Sequence, residues 1–181
     1  MIDVAARLPS LIGDDLLRAL ATAAAGAPPG AFVEVGVYKG GSAQVLYDIA
    51  RHQGRELFLY DTFAGMPVSG PLDSHPIGDF ADCSVEKIRA AFPSAHVIQG
   101  VFPHSIVPMP PIAFVHADAD QYESTLAICE HLYPQLVTGG AILFDDYRGL
   151  RGCIEAVDQC FPNRVLLECR RALVVKGLND V

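Results

Sequence analysis

Apolar and polar positions alternate along the chain with two different periods. Residues 13 to 25 (GDDLLRALATAAA) carry apolar side chains at helical spacing. Asp14 and Asp15 suit the first turn of that helix, and Gly26 followed by Pro28 and Pro29 stops it. From residue 31 onward, short apolar runs alternate with helical stretches. AFVEVGV (31–37) reads as a strand apolar on both faces, the mark of a central parallel position. GSAQVLYDIARHQ (41–53) reads as a helix with Ala43, Leu46, Tyr47 and Ala50 on one face. ELFLYD (56–61) is a second strand, and SVEKIRAAF (84–92) a helix capped by Ser84 but lacking a capping box, because Lys87 stands three residues on. HVIQG (96–100) and IAFVHAD (112–118) follow as strands, STLAICEHLYPQL (124–136) as a helix stopped or kinked at Pro134, AILFDD (141–146) as a strand, and GCIEAVDQCF (152–161) as a helix.

The end of the chain changes character. NRVLLEC (163–169) and ALVVKG (172–177) are two β-branched runs joined by Arg170 and Arg171. So short a joint permits only an antiparallel hairpin, since a parallel return needs a crossover of about a dozen residues. Five βα units and a hairpin predict a mostly parallel sheet with helices on both faces. Ligands of such sheets bind beyond the carboxyl ends of the strands, where this sequence concentrates its unusual residues.

Composition narrows the partners. A chain of 181 residues, 51% hydrophobic and 19% charged, holds one ordinary domain with a real core. The net charge of −8 argues against non-specific binding to nucleic acid or anionic lipid. Five cysteines without a C-x-x-C fit a reduced, cytoplasmic setting, with Cys129, Cys153 and Cys160 as small core residues. No apolar run reaches the ~18 residues of a membrane span, and the acidic N-terminus resembles neither a signal nor a transit peptide.

Three groups of residues can carry chemistry. The first strand runs into Glu34-Val35-Gly36-Val37-Tyr38-Lys39-Gly40-Gly41-Ser42. Glycines between strand and helix let a ligand approach the backbone, but the spacing is not that of a dinucleotide or P-loop fingerprint. A carboxylate inside a buried strand would repel pyrophosphate and tolerate an ammonium or sulfonium; the plainer alternative is a tight turn with Glu34 bonded to backbone N–H groups. Asp61, ending the second strand, is placed to accept both hydroxyls of a ribose, or else closes an Asx-turn. The sharpest group is Asp118-Ala119-Asp120 after strand four with Asp145-Asp146 after strand five. Four carboxylates on neighbouring strands about 4.8 Å apart raise one another's pKa unless a cation sits among them. Oxygen-only ligands suit Mg²⁺ first, with Ca²⁺ or Mn²⁺ as alternatives; helix capping explains one Asp of each pair. His116 reads as a packed residue behind them.

These motifs resemble class I S-adenosylmethionine-dependent methyltransferases, and more closely the macrocin O-methyltransferase family of metal-dependent sugar O-methyltransferases. The matching segments are FVEVGVYKGGS (32–42), YDTFAGMP (60–67), QGVFPHSI (99–106), ADADQYEST (117–125) and LVTGGAILFDDYRGLRGCIEAVD (136–158). Catechol O-methyltransferase is similar more distantly. The resemblance implies a Rossmann-like α/β fold with a seven-stranded, mostly parallel sheet over residues 31–181, preceded by a helical segment, 1–30. It implies S-adenosylmethionine held by Glu34, Gly36, Tyr38, Gly40, Ser42, Asp61, Gln99 and Asp118. It also implies Mg²⁺ on Asp118, Asp145 and Asp146, and Asp120 as general base. Lys39 and His116 stand where arginines are expected in the family.

The expected activity is therefore O-methylation of a small-molecule hydroxyl, on a sugar, vicinal diol or catechol, by a cytoplasmic enzyme without nucleic-acid or membrane partners and able to form a homodimer. Two adjacent substrate oxygens chelate a metal best, which favours the diol. Residues 62 to 83, rich in proline and glycine, form a long loop on the carboxyl side of the second strand and read as part of a lid, with Asp73, His75 and Asp79 as candidate substrate contacts or a plain solvent loop as the alternative. The competing readings are a metal-dependent hydrolase using the same aspartates, with only Arg148 and Arg151 to hold a phosphate, and a degenerate cofactor-binding module.

Overall fold

A computed structural model describes residues 8–147, 149–162, 165–167 and 171–177. Five helices and seven strands alternate: α1 (Asp14–Ala25), β1 (Ala31–Val35), α2 (Gly41–Gln53), β2 (Leu57–Asp61), α3 (Val85–Ala91), β3 (His96–Gln99), β4 (Ile112–Ala117), α4 (Tyr122–Leu132), β5 (Leu136–Phe144), α5 (Arg151–Cys160), β6 (Val165–Leu167) and β7 (Arg171–Val175). A 3₁₀ turn, Tyr133–Gln135, links α4 to β5. The strands form a single sheet in the order β3-β2-β1-β4-β5-β7-β6. β3, β2, β1, β4 and β5 are parallel, whereas β7 runs antiparallel to both β5 and β6. Six strands have four residues or more; β6 is a three-residue edge on the hairpin. The remainder of the expected strand 163–169, and Arg170 of its joint, lie outside the described residues.

Strand parity divides the core into two layers. On one face Phe32, Leu57, Leu59 and Phe114 meet Leu17 and Leu20 of α1, Leu46 and Ile49 of α2, and Ile88 of α3. On the other, Val33, Val35, Phe58, Val115 and Ile142 meet Ile128 and Leu132 of α4 and Val157 of α5. Residues of β1 and β4 are buried from end to end, as a central parallel position requires. Ala43, Leu46, Tyr47 and Ala50 all turn inward, and the Ser84 hydroxyl accepts from the Lys87 amide at the start of α3.

Some boundaries move. α4 starts at Tyr122 rather than 124 and gives way to the 3₁₀ turn at Pro134, whose ring cannot continue the helix. β5 begins at Leu136, because Gly139 and Gly140 carry the strand past a register shift opposite Ile112 and Phe114 instead of breaking it. Its carboxyl end is Phe144, so Asp145 and Asp146 lie in the turn beyond. The order reverses between β1 and β4, which opens a crevice at their carboxyl ends.

Candidate active site

Turns after β1, β2, β4 and β5 wall a cleft of about 260 Å³, closed on one side by residues 9 to 12 and on another by the loop after β2. The β1 and β4 turns are pressed together: a Cβ on Gly36, at φ +93°, would fall 1.8 Å from the Asp118 carbonyl oxygen. The next turn is strained as well. Tyr38 takes φ 50° and Gly40, capping α2, φ 88°.

Asp61 holds that turn. One carboxylate oxygen accepts the Val37 and Tyr38 amides, each at 2.8 Å, and the other accepts the Phe63 amide at 2.7 Å. The Asx-turn alternative is thus present, and the same carboxylate lines the cleft. Gly36, Tyr38 and Ser42 line it too. Gln99 does not: it ends β3 exposed, its amide 3.4 Å from the Thr62 carbonyl, and Gly100, Val101 and Phe102 form that wall instead.

Glu34 lies beneath the floor, fully buried. Its register partner on β4 is His116, whose Nδ1 is 2.8 Å from one Glu34 oxygen; the other oxygen has no hydrogen-bond partner among the described residues. His116 is fully buried, the packed residue expected, and its Nε2 reaches Asp145 Oδ1 at 3.4 Å.

The four aspartates separate into three and one. Asp118, Asp120 and Asp146 each offer an oxygen within 4.8 Å of the other two. Asp145 is not part of that group: its Oδ1 faces His116 and the guanidinium of Arg171, which is itself fully buried and donates to the Leu16 carbonyl at 2.6 Å. Burial lowers the Arg171 pKa to about 10. Burial raises Asp118 well above the ordinary carboxylate range, with the Asp146 charge adding to it. Burial and the Asp146 charge push Asp120 up to about 8, and burial raises Asp146. Asp120 sits in left-handed backbone, φ 59°. Three converging hard oxygens, each unwilling to ionise alone, are a donor set that fits a divalent cation.

Sequence reasoning missed Arg171, Gln121 and Asp82. Gln121 is fully buried in the cleft wall, its Nε2 bonded to the Val68 carbonyl. Asp82 accepts from the Tyr38 hydroxyl at 2.7 Å and from Lys39 Nζ at 2.5 Å. That pairing raises the Lys39 pKa and lowers that of Asp82. These contacts span 26 to 155 residues of chain, and no local pattern marks them. Arg148 lies outside the described residues, and Arg151 faces solvent beside Glu155. Among the described residues no helix is long and apolar enough to cross a membrane.

The chain is similar to known proteins. The chain is 31% identical over 165 residues to the 8-demethyl-8-(2,3-dimethoxy-alpha-L-rhamnosyl)-tetracenomycin-C 4'-O-methyltransferase of Streptomyces olivaceus, covering 80% of this chain and 62% of that protein. It is 28% identical over 151 residues to the demethyldecarbamoylnovobiocin O-methyltransferase of Streptomyces niveus, covering 72% and 58%. It therefore spans about 60% of the length of these curated relatives. The solved O-methyltransferase NovP superposes with a TM-score of 0.79 at 23% identity, over 92% of this chain and 81% of that one. The family profile described as macrocin O-methyltransferase (TylF) matches residues 10–168, from the segment that closes the cleft through the last helix and into the hairpin. With the glycine turn, the three converging aspartates and the reversed strand order all inside that match, the chain belongs to the macrocin O-methyltransferase family.

Proposed function

We propose that this protein is an S-adenosylmethionine-dependent, Mg²⁺-assisted O-methyltransferase acting on a hydroxyl of a small molecule, a sugar or other vicinal diol. The single observation that carries the reading is the pairing of two unlike halves in one cleft: a backbone-lined turn over Glu34 and Asp61, and the oxygen triad of Asp118, Asp120 and Asp146. Family membership supports it, and the curated relatives' names describe transfer to oxygen, in the tetracenomycin case on a rhamnosyl compound.

In this reading Asp61 meets the ribose, Gly36, Tyr38, Gly40 and Ser42 frame the rest of the cofactor, and the unpaired Glu34 oxygen supplies an acceptor for its ammonium, directly or through water. Gln99 contributes at most from the rim. Asp118 and Asp146 would hold the cation, whereas Asp145, expected as a third ligand, has its Oδ1 turned to His116 and Arg171. When bound, Mg²⁺ would polarise an acceptor hydroxyl and lower its pKa, and the cofactor's sulfonium would supply an activated methyl carbon. Asp120 would take the hydroxyl proton onto its carboxylate as the oxygen bonds to the methyl carbon and the methyl–sulfur bond breaks, its electron pair staying on sulfur to leave S-adenosylhomocysteine. The walls align the two reactants, worth several kcal/mol in reactions of this kind. Residues 31–181 form the catalytic domain, and the 1–30 segment lends Pro9, Ser10, Leu11 and Ile12 to the cleft wall. We also infer a cytoplasmic enzyme, with a homodimer as the candidate assembly.

The hydrolase reading has less support, since Arg151 is spent on the surface beside Glu155. Calorimetry with S-adenosylhomocysteine, with and without Mg²⁺, tests the proposal. Saturable binding that Mg²⁺ leaves intact is expected; no binding under either condition would contradict it.

A further inference from the structure

α4 starts without a cap of its own. Gln121 occupies the N-cap position, with extended backbone and no side-chain bond to the helix, although the first N–H groups of any helix need acceptors. The acceptor arrives from the loop after β2. Asp73 Oδ1 accepts the Tyr122 amide at 2.8 Å across 49 residues of chain. Its other oxygen accepts the Gly70 amide at 2.7 Å, which fixes the carboxylate's orientation. Space for the contact comes from α5: a Cβ on Gly152 would stand 2.9 Å from Asp73 Oδ1 and 2.8 Å from the Tyr122 nitrogen. One loop carboxylate thus sits where the first turns of α4 and α5 meet. These helices follow directly on Asp118-Ala119-Asp120 and on the turn that carries Asp145 and Asp146. The negative charge also suits the positive end of α4.

The segment that Asp73 fixes is the strained one. Asp120 is held at φ 59° immediately before Gln121, a conformation a non-glycine residue keeps only when its surroundings impose it. A second fastening lies beside the first, where the buried Gln121 amide donates to the Val68 carbonyl of the same loop.

We propose that Asp73 is a positioning residue of this active site: from the loop after β2 it caps α4, and so holds Asp118 and Asp120 in the converged arrangement with Asp146. The inference rests on the proposed function only for the use to which those acids are put.

The test uses the full chain with Asp73→Ala and Asp73→Asn. An asparagine oxygen can accept the Tyr122 amide and caps about as well as aspartate, so Asn should restore what Ala removes. Without ligand, amide exchange over residues 122–125 should quicken roughly 3- to 30-fold in the Ala variant, the range expected for a lost cap, and stay near wild type in the Asn variant. Calorimetry with Mg²⁺ alone should show roughly tenfold weaker binding for Ala and near wild-type binding for Asn, about one factor of 1.4 kcal/mol. S-adenosylhomocysteine affinity, on the other side of the cleft, should stay within about twofold in both. A loose loop or general destabilisation would move both ligands together and would not be rescued by Asn. Wild-type exchange in Asp73→Ala, or equal losses in the Ala and Asn variants, would overturn the proposal. A wild-type chain that binds S-adenosylhomocysteine but no Mg²⁺ would contradict the metal reading alone; exchange at Tyr122 and rescue by Asn would still decide the role of Asp73.

Discussion

Asp61 ends a parallel strand and Asp120 lies just beyond one, both line the same cleft, and they meet opposite fates. Asp61 receives three backbone N–H groups. Among the described residues no backbone N–H donates to the Asp120 carboxylate, and burial with the Asp146 charge drives its pKa up to about 8. One half of the cleft is preorganised by its own backbone, and the other is completed only by protons or by a cation. Position in a βα unit therefore does not determine what a carboxylate does; the donors around it do.

The largest test of this contrast is Asp120→Asn, which keeps the shape and removes the proposed base. Methyl transfer from labelled S-adenosylmethionine should fall by about 10²–10⁴-fold, with S-adenosylhomocysteine affinity unchanged. Turnover equal to wild type would assign the proton to another group.

Next is Asp61→Ala, which strips three acceptor contacts from the β1 turn. At about 0.5–1.5 kcal/mol per hydrogen bond, unfolding stability and cofactor affinity together should lose roughly 2–4 kcal/mol, read by urea denaturation and calorimetry. Asn at this position should be milder. If neither quantity changes, the turn does not depend on Asp61.

The third test concerns pH in the presence of chelator. Asp120 has a folded pKa near 8 against an unfolded value of about 4, so the native state binds the extra proton between them. Its contribution to stability is fully present below about pH 4 and is lost as the pH rises through about 8. Asp120→Asn should therefore be more stable than wild type at pH 8.5, by roughly 1–3 kcal/mol, and the advantage should shrink at pH 5. An advantage that is flat with pH would mean that the cluster carries no such penalty.

The smallest expected effect is on the loop. S-adenosylhomocysteine with Mg²⁺ should slow proteolysis within residues 63–83 if that loop closes over the cleft, since its Thr62, Gly65, Met66 and Phe80 already line the wall. Identical cleavage rates would leave it a plain connection.

Legibility followed the range of the interaction. Helix 41–53 and the Ser84 cap depend on neighbours within one or two turns, and both were readable from periodicity and residue type. The acids after β4 and β5 were readable because a parallel sheet brings consecutive strand ends to one edge. The split of those acids was not: Asp145 leaves the triad because Arg171, from the antiparallel hairpin, is buried against it. Nothing near Asp145 signals a guanidinium 26 residues on. Gln99, expected at the cofactor only through the resemblance, is the register partner of Asp61, yet it is exposed on the edge strand while Asp61 lines the crevice. The start of α4 was misplaced for a related reason, since its cap comes from Asp73 rather than from its own chain neighbourhood.

The central claim is that the cluster of Asp118, Asp120 and Asp146 holds protons when empty and takes a cation on Asp118 and Asp146, with Asp120 beside it. Mg²⁺ titration calorimetry at pH 7 in two buffers of different ionisation enthalpy measures both parts at once. A cation that favours the ionised carboxylates must displace what they hold, so the account predicts saturable binding with release of about one proton per ion. Binding without proton release, or no binding at all, would contradict it.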